Sequence, residues 1–134
     1  MKLIECVPNF SEGRNPQVIA RLVESVEGVA GVAVLNVHVD PDHNRSVLTF
    51  AGEPGPVAEA AFRVAGVAAE LIDLRTHSGA HPRLGATDVM PFVPVRDVTM
   101  EECIALAHHT GERIAEEDCY AGITPRVLED RRRR

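Results

Sequence analysis

A chain of 134 residues with 45% hydrophobic and 25% charged residues has the size and composition of one soluble domain able to bury a core. Its formal charge of −6 speaks against a nucleic-acid binder, which needs a basic face to neutralise phosphates. The basic residues are nearly all arginine, with Lys2 the single lysine; arginine suits two-pronged capture of carboxylates and keeps a small anionic ligand open. Cys6, Cys103 and Cys119 are odd in number and lack metal-type spacing, a pattern of reducing compartments rather than of disulfide frameworks. The start, MKLIECVPNF, is interrupted by Glu5 and Pro8 before any apolar run could serve as signal peptide or membrane span, so a cytoplasmic protein is expected.

Residues 2–8 (KLIECVP) are short, apolar and closed by proline, and read as a first strand followed by the polar loop NFSEGR. Asn15-Pro16 is an N-cap with proline at the first helical position; Val18, Ile19, Leu22, Val23 and Val26 keep helical spacing and Gly28 marks the stop. In the strand VAVLNVHV, simple alternation puts Ala33, Leu35, Val37 and Val39 on one apolar face. The other face starts with Val32 and Val34 and ends in Asn36 and His38, about 7 Å apart. RSVLTFAG is a third strand. Glu53-Pro54-Gly55-Pro56 opens a second helix with the stripe Val57, Ala60, Ala61, Val64, Ala68 and Leu71. VMPFVPV is a fourth strand whose Pro91 and Pro94 require an edge position or a bulge. Thr99-Met100-Glu101-Glu102 has the capping-box pattern of a third helix, which should turn Met100, Cys103, Ile104, Ala107 and Ile114 inward. The order β-α-β-β-α-β plus a helix predicts an α/β (α+β) ferredoxin-like sandwich, a mixed sheet with helices on one face. The other face is left for a second domain, a second subunit or a ligand. The closing VLEDRRRR is a charge run expected to fray.

The stretch HSGAHPRLGATDVMPFVPV crowds two histidines, glycines and an arginine ahead of a proline-rich strand. His77 and His81 have the spacing of two ligands on one helical turn, but Gly79 and Pro82 oppose a helix there. A site drawing on His77, His81, His38 and Asp40 is conceivable, yet no cysteine pair or HExxH pattern supports a metal, and none is expected. Residue types alone leave His81 open between a catalyst, a ligand and a ring tied to backbone in a tight loop. His43 lies in DPDHNR, a turn in which Asp and Asn commonly bond their own backbone.

The segments IECVPNFSEGRN, DPDHNRSVLTFAGEP, LIDLRTHSGAHPRLGATDVMPFVPV and the capped helix after VRDVTMEEC resemble, in order and over roughly residues 2–117, the N-terminal subdomain of glutamate formiminotransferase, the formiminotransferase half of formiminotransferase-cyclodeaminase. The resemblance implies a ferredoxin-like subdomain that pairs with a C-terminal one, tetrahydrofolate lying between them as co-substrate. The reaction it implies is transfer of a formimino group from N-formimino-L-glutamate to N5 of tetrahydrofolate, in histidine degradation. The family's catalytic histidine in the HPR motif falls on His81, whose imidazole would take the proton from N5 and return it to the departing glutamate nitrogen. Arg45 and Arg83 become the expected receptors of substrate carboxylates, each with a salt bridge within the fold as its plain alternative. Asn9, Glu12 and Asn44 lie in matching motifs and are expected at the same end of the domain.

Two departures stand out. Animal members of the family carry aspartate where this chain has His38, so Asp40 or Asp42 would have to assist His81. After the third helix the family continues into another strand and the C-terminal subdomain, whereas here DCYAGITPRVLEDRRRR follows. The expected organisation is one subdomain over residues 1–120 and a charged tail over 121–134, working as a homodimer or with a separate C-terminal chain, or binding folate or a protein without transfer. Formyl and formimino donors are not separated by these residues.

Overall fold

The computed structural model describes residues 1–72 and 86–116. The central strand is β4 (Arg45–Gly52), in which buried and half-exposed residues alternate without interruption. Along one side of it run β1 (Leu3–Cys6) and β2 (Asn9–Phe10), two parts of one strand parted at Val7-Pro8. Pro8 has no N–H to give the ladder, but its carbonyl still accepts from Leu48 N at 3.1 Å, so the pairing carries across the gap. Beyond β1 and β2 lie β5 (Thr87–Val89) and β6 (Phe92–Arg96), parted in the same way at Pro91, whose carbonyl accepts from Val7 N at 3.0 Å. On the opposite side of β4 lies β3 (Val32–Asp40).

Every pairing among the described residues is antiparallel, which corrects the expectation of a mixed sheet. β1 and β3 do run in the same direction, but β4 is inserted between them and opposes both. The β5–β6 strand has no outer partner among the described residues, the edge position that Pro91 and Pro94 demand.

The second correction concerns β3. Val34 faces Phe50 but Asn36 already faces Thr49, so Leu35 is an extra, bulged residue. One inserted residue exchanges the two faces of everything that follows. Val37 and Val39 therefore share the side of Leu48 and Ser46, while Asn36, His38 and Asp40 share the side of Thr49, Val47 and Arg45. An apolar face exists, but it is made of Val32, Val34, Val37 and Val39 rather than Ala33, Leu35, Val37 and Val39.

Helix α1 (Pro16–Glu27) begins as read, with Asn15 Oδ1 accepting from Gln17 N at 3.0 Å, and it buries Val18, Ile19, Leu22 and Val26. Helix α2 (Pro54–Leu71) buries Val57, Ala60, Ala61, Val64, Ala65 and Ala68, small side chains that let it lie close against the sheet. Helix α3 (Met100–Glu116) starts with Glu102 N donating to Thr99 Oγ1 at 3.1 Å and buries Cys103, Ala107 and Ile114. Met100, expected inward, keeps the spacing of the buried stripe but is 47% exposed, because as the first residue of the helix it stands at the end of the packed region. The helices and the sheet face bearing Ile4, Cys6, Phe10, Leu48, Phe50 and Phe92 enclose one core. No helix among the described residues is long and apolar enough to cross a membrane.

α2 and α3 are also joined at their surface. Arg113 Nη1 donates to Glu59 Oε1 at 2.7 Å, Arg63 Nε donates to Glu59 Oε2 at 2.9 Å, and the Arg113 guanidinium lies 3.7 Å from the centre of the Phe62 ring. Arg113 first and Arg63 second hold the Glu59 carboxyl below its ordinary value of 4.5. Its stabilising contribution is thus fully present above that ordinary value and lost as pH falls through the lower folded value. With Glu59 a third exposed, solvent screens the network to about 0.5–1 kcal/mol. Glu59→Gln should lower the unfolding free energy by that amount at neutral pH, read as a lower urea midpoint at unchanged slope, and the difference from wild type should close in acid.

Candidate functional site

The polar residues singled out in the sequence gather where the β2–α1 loop meets the β3–β4 turn. The loop is pinned from three sides. Ser11 N donates to Ala86 O at 2.9 Å, Gly13 N donates to Asn44 Oδ1 at 2.8 Å, and Arg14 Nε donates to Pro41 O at 2.8 Å. A side chain on Gly13 would bring its Cβ to 2.5 Å from backbone atoms of Arg45 and Asp40, so the loop lies directly on the hairpin backbone.

Glu12 and Asn44, both buried, serve this junction. Glu12 Oε2 accepts from Arg14 N at 2.9 Å and Asn15 N at 3.1 Å, which turns the chain into α1. Asn44 has φ 53°, a left-handed conformation that asparagine tolerates better than most residues. In the turn, Asp40 Oδ1 accepts from Asp42 N at 3.1 Å and His43 N at 3.3 Å, and Asp40 Oδ2 meets His43 Nδ1 at 2.7 Å. The His43 side chain leads in holding the Asp40 carboxyl below its ordinary value. This carboxylate is engaged within its own turn.

Asn9, His38 and Arg45 stand on the sheet face away from the helices. His38 and Asn9 flank Val47 from opposite sides, and Arg45 lies two residues along the same strand. Arg45 Nη2 donates to Asn9 Oδ1 at 3.3 Å and is 3.6 Å from Asp88 Oδ2, and Asn9 Nδ2 donates to Val7 O at 3.1 Å. Asp88 was not singled out from the sequence. It is the extra residue of the β2–β5 pairing, where Asn9 faces Val89 and Phe10 faces Thr87. Its signal was available: it is the only charged residue in ATDVMPFVPV.

His77, His81 and Arg83 lie outside the described residues; the flanking chain ends after α2 at Ile72 and resumes at Ala86, against Ser11. Among the described residues no group of three or more His, Cys, Asp or Glu side chains is placed to hold a metal ion. A cleft of about 750 Å³ lies between the start of α2 and α3, lined by Ile4, Pro54, Pro56, Cys103, Leu106 and His109. It is on the helix side of the sheet, away from the polar cluster. Burial pushes the Cys103 thiol above its ordinary value, which leaves it neutral and a poor nucleophile.

The class of protein is therefore an α/β domain whose antiparallel sheet packs three helices on one face and carries asparagine, histidine, arginine and aspartate on the other. Comparison with known proteins narrows it. Residues 3–122 match the formiminotransferase domain, N-terminal subdomain. The chain is 49% identical over 117 residues to a glutamate formimidoyltransferase of Thermoplasma acidophilum, covering 87% of this chain and 39% of that one. It is 50% identical over 116 residues to the formimidoyltransferase-cyclodeaminase of Sus scrofa, 87% of this chain and 21% of that one. A formiminotransferase cyclodeaminase-like protein of Arabidopsis thaliana is more distant, 26% identical over 108 residues. The chain belongs to the family of formiminotransferase N-terminal subdomains, and it spans well under half the length of these relatives.

Two measurements check the junction. Gly13→Ala should destabilise the fold by about 2–3 kcal/mol, since the new methyl meets backbone that cannot yield; the urea midpoint should fall without a change in slope. In wild type the Asp40 carboxyl should titrate below the ordinary aspartate range by NMR, and His43→Ala should return it upwards.

Proposed function

We propose that this chain supplies the N-terminal half of a glutamate formimidoyltransferase site, taking N-formimino-L-glutamate and tetrahydrofolate as substrates in histidine degradation, in the cytoplasm. The observation that carries this reading is 49% identity over 117 residues to a protein named for that activity. The antiparallel order β3, β4, β1–β2, β5–β6 supports a ferredoxin-like arrangement, in which the helix-free sheet face is the natural wall of a site.

In this reading His81 is the acid and base. Transfer requires a proton to leave the accepting nitrogen and another to reach the departing one, and an imidazole titrating near neutrality can serve both in turn. Arg45 and Arg83 receive substrate carboxylates, with Asn9 and His38 beside Arg45 on the same face. Glu12 and Asn44 act through the backbone they hold, and Asp40, whose carboxylate is engaged by His43 and its own turn, or Asp42 is the acid proposed to assist His81. The proposed proton transfers call for no metal. Residues 1–120 form the N-terminal subdomain, and a C-terminal subdomain or a second copy completes the site.

A second reading, in which these residues bind folate or a protein without transfer, is tested beside the first. Transfer assays separate the two. The chain, alone and mixed with the C-terminal part of the archaeal relative, is given both substrates beside a His81→Ala control. Transfer that falls about 10²- to 10⁴-fold in the control establishes the enzyme reading. Folate binding without transfer in either preparation establishes the second reading, and neither binding nor transfer rejects both.

A further inference from the structure

Arg45 reaches the open face with one nitrogen close to two partners. Asn9 Oδ1 accepts from its Nη2 at 3.3 Å, and Asp88 Oδ2 stands 3.6 Å from the same atom, an ion-pair distance. Arg45 and Asp88 are each 31% exposed, so solvent screens the pair less than it would a surface pair. The two partners come from different strands, and each is fixed by its backbone. Asn9 sits in β2 with its own amide nitrogen tied to Val7 O, and Asp88 is the residue that the β2–β5 irregularity adds.

We propose that Asp88 is a positioning residue: with Asn9 it fixes the Arg45 guanidinium as a receptor for a carboxylate of the glutamyl substrate. The reasoning rests on the function proposed above and names how one of its residues is prepared. A free arginine side chain must be ordered by its ligand, and that ordering weakens binding. Here it is ordered beforehand through Nη2, and Nε and Nη1 have no hydrogen-bond partner among the described residues. A carboxylate accepts from such donors, and the family's donor substrate is a glutamate derivative.

Charge and position make opposite predictions, which permits a sharp test. As a mere charge, Asp88 would repel an incoming carboxylate, and removing it would tighten binding. As a positioning residue its removal must weaken binding. The measurement is calorimetric binding of N-formimino-L-glutamate to wild type, Asp88→Asn, Asp88→Glu, Arg45→Lys and the Asp88→Asn/Arg45→Lys double variant, with urea midpoints for each. The expected result is a fivefold to tenfold loss in Asp88→Asn, recovery of most of it in Asp88→Glu, and no further loss when Asp88→Asn is added to Arg45→Lys. The Arg45 Nε–H signal, identified by its absence from Arg45→Lys, should shift in Asp88→Asn without ligand. Unchanged or tighter binding by Asp88→Asn, beside a wild type that binds, overturns the role of Asp88 alone. So does a loss that persists in full in the Arg45→Lys background. A wild type that does not bind the ligand overturns the carboxylate receptor together with the glutamyl reading on which it rests.

Discussion

Gly13 lies so close to the backbone of Asp40 and Arg45 that no side chain fits between them, and the geometry of the polar end of the domain follows from that approach. The loop after β2 has no regular partner of its own. It is held by the Asn44 amide, by the Ala86 carbonyl and by the Arg14 guanidinium on the Pro41 carbonyl. Each contact joins a different stretch of sequence to the same few residues. The β3–β4 turn, the start of α1 and the start of β5 therefore have fixed positions relative to one another, as the proposed site of Asn9, His38, Arg45 and Asp88 would require.

Two buried polar side chains hold this junction. Glu12 and Asn44 are almost wholly removed from water, where an unpartnered polar group would cost about 1–3 kcal/mol. Each meets backbone N–H groups that loop geometry would otherwise leave without an acceptor. Their presence in motifs that resemble the family's is accordingly explained by construction of the loop as well as by any ligand. A motif residue can be indispensable to a site and never touch what binds there.

The elements were largely legible in the sequence because their signals are local. Asn15-Pro16 opens α1, the alanine stripe of α2 is buried, and the prolines of the fourth strand lie at an edge. What escaped was set by pairing. Strict alternation along VAVLNVHV assigns Val37 to the face of Ala33, but the register against β4 contains one extra residue at Leu35 and reverses that assignment. Nothing in the strand's own composition marks the bulge. Asp88 escaped for a similar reason: its side chain gains its meaning from Arg45, 43 positions earlier, and the two meet only through the order of strands. His81 and Arg83 were legible as motif residues and lie outside the described part of the chain.

The bulge also bears on how the two sheet faces divide their tasks. Had β3 continued in simple alternation, Asn36, His38 and Asp40 would have turned towards the core side, where α1 packs against β3. That side is only partly covered there, since Val37 and Val39 stay 37% and 39% exposed, so the shift gathers polar groups on the open face more than it spares them burial. With the register shifted at Leu35, Val37 and Val39 take that side and the polar residues join Arg45 and Asn9 on the other. One inserted residue thus lets a single strand contribute to the core at its start and to the polar face at its end. The open face is left with half-exposed side chains such as Arg45 and Asp88 beside the exposed Val93 and Val95. A covering partner or ligand would meet a surface in which the ion pair at one end supplies direction and the valines supply contact area.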